Sequence, residues 1–209
     1  MPLGKVETLT ISALDRDGIA LAQQLVGAGY LTIILATLPN GGQRPSIYSA
    51  GNLSAVNFTF VGPAKGLPSQ IITYTMAGPN AGTLALPVSF ASITSVYASA
   101  AVGTDVEVGW VATAETVPFI VDVNQNPVNI GFGCSIVTAG STYTVQHTFD
   151  DVFASDYDPT TGTWFDHATV AAETTAQYGD YAIPIRALRL YAITAGATKI
   201  SLWQSMVVG

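Results

Sequence analysis

Apolar and polar residues alternate with a period of two along several stretches of this chain. Val6-Glu7-Thr8-Leu9-Thr10-Ile11 alternates, as do Asn57-Phe58-Thr59-Phe60-Val61 and Thr198-Lys199-Ile200-Ser201-Leu202-Trp203-Gln204. In residues 142–149 the alternation places Tyr143, Val145, His147 and Phe149 on one face. Successive side chains of a strand point to opposite sides of a sheet, so this period predicts half-buried strands. The frequent Thr on the second face suits antiparallel pairing with one side wet. Ile71-Ile72-Thr73-Tyr74-Thr75-Met76 adds a β-branched and aromatic run. Between the runs lie turn formers: Pro39-Asn40-Gly41-Gly42, Ala50-Gly51-Asn52, Gly62-Pro63, Gly78-Pro79-Asn80-Ala81-Gly82 and Ala139-Gly140-Ser141. Many short strands with regular turns predict an all-β protein, an antiparallel, jelly-roll-like β-sandwich with little helix.

One stretch reads differently. The Ala and Gln content of residues 15–24, Asp-Arg-Asp-Gly-Ile-Ala-Leu-Ala-Gln-Gln, predicts one or two helical turns. Gly18 and the following Val26-Gly27-Ala28-Gly29 limit that helix and lead into a loop. The chain of 209 residues is long enough for two small sandwiches. A break in pattern between Gly109 and Pro118 predicts an N-terminal β domain over residues 1–112 and a C-terminal sandwich over 113–209. The halves share no visible repeat, and one sandwich exchanging strands between halves is the alternative.

Composition changes the picture from fold to surface. Only 10% of residues are charged, against a usual share of about a quarter. The mean hydropathy is +0.40. A surface so poor in charge tolerates close protein contact, which predicts a homo-oligomer or a larger assembly. A charge-poor secreted β-domain is the plainer alternative. The net charge of −7 and the scattered Lys5, Arg16, Arg44, Lys65, Arg186, Arg189 and Lys199 argue against nucleic-acid binding. No apolar run nears the roughly 18–20 residues of a membrane helix, so no membrane partner is expected. Residues 1–5 lack the layout of a signal peptide, which points to synthesis in a cytoplasm. Single Cys134 forms no internal disulfide framework and reads as a small buried hydrophobe.

Polar chemistry concentrates in residues 150–167, which hold five of the fourteen acids: Asp150, Asp151, Asp156, Asp158 and Asp166. Asp156 and Asp158 have the spacing of calcium-loop ligands, but Thr161 and His167 stand where an EF-hand needs Gly and Glu. A solvated loop with Asx-turns explains the same residues. Paired carboxylates serve glycoside cleavage only when they converge in a cleft with one raised pKa. Cys134, His147 and His167 are the candidates for a nucleophile–base pair, yet no Gly-x-Ser-x-Gly elbow, phosphate-binding loop or dinucleotide fingerprint accompanies them. These observations predict no catalytic residue, no cofactor and no metal, and the loop reads as an ordered part of the sandwich. Trp164 and Phe165 beside Asp166 and His167 have the make-up of an interface anchor, or of a loop folded back on the sheet.

Several islands resemble a group of tailed-bacteriophage virion structural proteins of the capsid decoration type. They are residues 143–151 (Tyr-Thr-Val-Gln-His-Thr-Phe-Asp-Asp), Trp164-Phe165-Asp166-His167, residues 181–190 (Tyr-Ala-Ile-Pro-Ile-Arg-Ala-Leu-Arg-Leu) and residues 198–204. Residues 12–20, Ser49-Ala50-Gly51-Asn52 with Phe58, and residues 78–83 look like the same group, whereas residues 30–39 are more apolar than it leads one to expect. The resemblance implies a virion component made in the bacterial cytoplasm, first of all a capsid decoration or cement protein without enzymatic activity. Its partners would be the major capsid protein or other virion proteins and copies of itself, with a trimer expected at three-fold junctions. A tail, tail-tip or fibre-base protein is the rival within the virion, and a carbohydrate-binding β-module the rival outside it. Arg186 and Arg189 would pair with acids across an interface, and three residues apart on one strand they would point to opposite faces.

Overall fold

The computed structural model of the protein describes residues 3–65, 67–124, 129–152, 154 and 157–204. The chain forms two compact units, one of residues 12–112 and one of residues 1–11 with 113–209. Strand β1 (Leu3–Ile11) opens the second of these. The first follows with β2 (Asp15–Leu25), β3 (Gly29–Tyr30), β4 (Pro45–Asn52), β5 (Asn57–Ala64), β6 (Leu67–Ala77), β7 (Asn80–Ala85), β8 (Ser95–Ala98) and β9 (Val102–Trp110). The chain then returns to complete the other unit with β10 (Ala114–Glu115), β11 (Phe119–Ile120), β12 (Ile130–Ile136), β13 (Tyr143–Thr148), β14 (Phe165–Asp166), β15 (Gln177–Tyr181), β16 (Ala187–Ala192) and β17 (Gly196–Gln204). One unit is thus inserted in the sequence of the other, between β1 and β10.

Both units follow one plan. In the inserted unit the sheets run β2-β9-β4-β7 and β3-β8-β5-β6. Its first strand pairs with its last, its second with the next to last, and so inward to the β5–β6 hairpin. In the outer unit the sheets run β1-β17-β12-β15 and β10-β16-β13-β14, with β11 also on β16. The same nesting holds there: β1 with β17, β10 with β16, β12 with β15, β13 with β14. This is the connectivity of the jelly roll, a long hairpin rolled into two antiparallel sheets. The two units repeat a topology without a visible sequence repeat, because the plan resides in which strands pair.

Alternating burial shows why the strands form where they do. Along β5 the residues Phe58, Phe60, Gly62 and Ala64 are buried and the residues between them are not. They meet Ile47, Phe90, Ile93, Val96, Val106 and Val108 in the core of the inserted unit, all fully buried. In the outer unit Ile130, Phe132 and Cys134 of β12 are buried, as are Ile200 and Leu202 of β17 and Leu9 and Ile11 of β1.

The expected helix over residues 15–24 is instead strand β2. Its pairing with β9 shifts register after Asp15, after Ala20 and after Gln23. Each shift breaks the two-residue alternation, which is why the stretch does not look like a strand. Close approach at its start also demands glycine: a Cβ on Gly109 would stand 1.9 Å from the Asp15 carbonyl. The expected N-terminal domain also differs. Residues 1–11 lie in the C-terminal unit, because β1 pairs with β17 from Leu3↔Gln204 to Ile11↔Gly196.

A buried glutamine secures backbone outside the ladders in each unit. Gln43 accepts from the Ser12 amide at 2.9 Å and donates to the carbonyls of Ser12 at 3.2 Å and Val111 at 2.9 Å. It ties together the points where the chain enters and leaves the inserted unit. Trp110 reinforces the tie by donating from Nε1 to the Ala13 carbonyl at 3.0 Å. In the outer unit Gln204 accepts from the Asp122 amide at 3.0 Å and donates to the Asp122 carbonyl at 2.7 Å.

Gln43→Leu leaves these half-buried backbone groups without their glutamine partner. It is expected to lower the stability of the inserted unit by about 1–3 kcal/mol, measured by chemical denaturation. Deleting residues 1–11 is expected to unfold the outer unit, which loses the β1 ladder together with Leu9 and Ile11. Residues 12–112 produced alone stay folded. Near-ultraviolet circular dichroism of the two fragments, and rescue of the former by a peptide of residues 3–11, checks both outcomes.

Candidate functional site

Strand β13 lies between β14 and β16, and its register sorts the polar residues of the 150–167 region by face. Gln146 stands opposite Asp166 and Arg189, while His147 stands opposite Phe165 and Leu188. Directly opposed residues share a face. Arg189, Gln146 and Asp166 therefore lie on one side of the sheet. His147 and Phe165 lie on the other, with buried Leu188.

On the first side Arg189 donates from Nε to Gln146 Oε1 at 2.9 Å, and Gln146 donates from Nε2 to Asp166 Oδ1 at 2.8 Å. The Arg189 guanidinium sits 4.1 Å from the centre of the Trp164 ring. A cation over an indole at a partly exposed site contributes about 0.5–1 kcal/mol. Behind this pair the loop packs on itself. A Cβ on Gly162 would stand 2.3 Å from the Tyr157 hydroxyl, so a side chain there would displace the tyrosine ring. Burial pushes the Tyr157 phenol up, and a hydrogen bond with Trp164 opposes the shift.

Arg186 does not share a strand with Arg189 as expected. It precedes β16 and pairs with Asp151 at 2.5 Å. Both side chains are about half exposed, at 40% and 52%, so the pair adds little to stability. The other described acids of the loop also bond locally. Asp150 accepts from the Thr163 amide at 2.7 Å, and Asp158 accepts from the Thr160 amide at 2.8 Å and hydroxyl at 2.7 Å. An open depression of about 360 Å³ lies beside Asp150, Asp151, Tyr157 and Asp158. Asp156, named for the calcium reading, lies outside the described residues. Among the described residues no three His, Cys, Asp or Glu side chains gather as a metal site would need.

On the second side the chain's two histidines meet one tyrosine. The His147 and His167 rings each lie 5.0 Å from the Tyr181 ring, and His167 also stands edge-on to Phe132 at 5.0 Å. His147 Nδ1 is 3.2 Å from the Tyr181 hydroxyl. His167 Nδ1 accepts the Thr169 amide at 3.3 Å, so in the neutral ring Nε2 carries the proton and donates to the Asp180 carbonyl at 3.3 Å. Phe149 and Phe165, 51% and 48% exposed, close the cluster toward solvent. The six residues expected at an interface therefore divide into three groups. Arg189, Trp164 and Asp166 share the first side, Phe165 and His167 join the histidine cluster, and Arg186 stands on Asp151. The role of Tyr181 and Gln146 as the hubs of these groups was not legible from spacing, since Gln146 meets its partners through strand register and Tyr181 meets the histidines from a strand of the other sheet.

Cys134 is buried, and burial pushes its thiol up to about 12, so it stays protonated at neutral pH. That chemistry does not suit a thiolate nucleophile.

Burial, followed by the charge of His167, holds His147 below the ordinary histidine value of 6.5, and Asp166 opposes both. The folded state thus binds fewer protons than the unfolded chain. The contribution of His147 is complete above about pH 6.5 and falls away as the pH drops from there through the lowered folded value. A thermal-melting series from neutral to mildly acid pH is expected to fall in that window, and His147→Gln to flatten it.

Comparison with protein-family models, with curated proteins and with solved structures gives no match for this chain.

Proposed function

We propose that this chain is a structural component of a phage particle, a capsid decoration or cement protein that acts through protein–protein contact and not through catalysis. One observation carries the reading. In the inserted unit Leu21, Val26, Tyr30, Ile34 and Leu35 stand between 44% and 109% exposed along one short stretch of chain. Leaving a large apolar side chain in water forgoes about 1.5–3 kcal/mol relative to burying it. Exposed apolar surface of this kind is what a partner covers.

The stretch is also held in shape. The amides of Ile34 and Leu35 both donate to the Ile19 carbonyl, at 2.8 and 3.3 Å. Gln23 donates to the Thr32 carbonyl at 3.1 Å and accepts the Thr32 amide at 2.8 Å. The Tyr30 ring meets Tyr97 edge-on at 5.1 Å. A surface fixed in advance docks with little ordering cost. The low charge of the chain and its islands of resemblance to virion proteins support the same reading. Jelly rolls occur in viral capsid proteins and equally in lectins, so the fold adds support only by analogy. The partners proposed are the major capsid protein and further copies of this chain, as a trimer over three-fold junctions, in the virion.

Quantitative protein analysis of purified particles from the phage that encodes this chain tests the proposal. Many copies per particle, scaling with capsid subunits, is the expected result. A few copies at the tail would replace the head assignment with a tail or fibre-base role, and absence from particles would sink the virion reading. The double variant Ile34→Asp, Leu35→Asp is expected to stop addition to particles. Its stability should change by no more than about 0.5 kcal/mol per site, because both residues are exposed.

A further inference from the structure

The outward face of the sheet β1-β17-β12-β15 carries two aromatic side chains beside a lane that has no side chains. Register places Gly4, Trp203, Gly131 and Asp180 in one row across the four strands. Val6, Ser201, Gly133 and Tyr178 form the next row on the same face. A Cβ built on Gly4 would lie 3.6, 3.6 and 3.7 Å from three atoms of the Trp203 ring system. Near-equal distances to three ring atoms mean that the indole lies flat over the Gly4 backbone. Trp203 is nonetheless 58% exposed, so its other face is turned to solvent. Gly131 and Gly133 have nothing within 4 Å of where a Cβ would stand, and the lane above β12 is open. Tyr178, 86% exposed, bounds the far side.

From this geometry we infer a binding site for a linear, neutral oligosaccharide, laid across β12 with one sugar ring on Trp203 and another against Tyr178. The C–H face of a pyranose packs on an aromatic face, where the ring quadrupole meets weakly positive hydrogens. The absent side chains at Gly131 and Gly133 leave depth for the intervening sugar. Ser201 and Asp180, on the same face beside the lane, supply a hydroxyl and a carboxylate for sugar hydroxyls. The two aromatic positions are two strands and two residues apart, about 12 Å at ordinary strand spacings. That span needs several linked rings and is too wide for one monosaccharide. The apolar content of the face is small for a protein partner. Val6, Trp203 and Tyr178 are its large apolar side chains, set among Thr8, Thr10, Lys199, Ser135 and Asp180, whereas a stable protein interface buries about 800 Å² per side around an apolar centre. This site lies on the outer unit and stands independently of the particle role proposed above.

Affinity electrophoresis of the whole chain tests it, in native gels holding mixed-linkage β-glucan, xylan, galactomannan or dextran. At least one of these is expected to retard the protein. Trp203→Ala and Tyr178→Ala are each expected to weaken that retardation about tenfold, the loss of one stacking contact. Gly133→Val, which adds a β-branched side chain to a strand in open space, is expected to block the lane while leaving the melting temperature level or raised. Tyr178 is so exposed that its replacement keeps the test valid if Trp203→Ala fails to fold. Lack of retardation by all four polysaccharides overturns the inference. So does retardation that survives both aromatic substitutions, and so does self-association abolished by them, which would make this face a protein interface.

Discussion

Each unit of this protein depends on pairing its first strand with its last. The β1–β17 ladder closes the outer unit and the β2–β9 ladder closes the inserted one, and every other pairing nests inside these two. Neither closure is local: β1 and β17 lie at opposite ends of the sequence described. Such a plan spends much chain entropy before its contacts form, so it needs strands that pair in only one register. Alternating burial fixes that register, since a slip of one residue would turn Leu9, Ile11, Ile200 and Leu202 out of the core. Where the alternation fails, in bulged β2, side chains take over the task. Gln43 and Trp110 tie the ends of the inserted unit by bonds that no strand pattern could specify.

The closed ladders leave the outward faces free to vary, and the chain uses them in contrasting ways. In the inserted unit large apolar residues crowd one short stretch held by Gln23 and the Ile19 carbonyl. On the outer unit the β1-β17-β12-β15 face is polar apart from a few aromatic and aliphatic residues, and its glycines keep it low. The β13–β14–β16 face is knitted by Arg189, Gln146, Asp166 and Trp164. Low overall charge, which at first suggests a uniformly adhesive surface, is thus distributed over faces of different chemistry.

Strand positions were largely legible in the sequence. Residues 6–11, 57–61, 71–76 and 198–204 fall within strands because each alternates, or is β-branched and aromatic throughout. The misread stretch, residues 15–24, failed for a physical reason: three register shifts removed its period, and Ala and Gln favoured the wrong prediction. Domain membership of β1 was hidden because pairing with β17 leaves no mark on β1 itself. The same limit applies to the site residues. Asp166 and Arg189 are distant in sequence, the registers on β13 bring them to one side, and Trp164 joins them through the Arg189 guanidinium. Arg186 and Arg189 looked like a pair from spacing alone, but a strand that begins at Ala187 separates their roles.

The nested order of the strands also sets a timetable during synthesis. Everything the inserted unit needs has been made once β9 leaves the ribosome, because its contacts lie within residues 12–112. The outer unit has by then only β1, and it must wait until β17, the last strand of its sheet, has been translated. The earliest strand is therefore the one kept waiting longest, and it waits as a single edge without a partner. Its sequence suits that interval, with Lys5, Glu7 and three threonine or glycine positions among its outward and inward residues, since charge and short polar side chains discourage pairing with stray edges. Domains made from the N-terminal end usually finish in order of synthesis; here the unit that starts first finishes last.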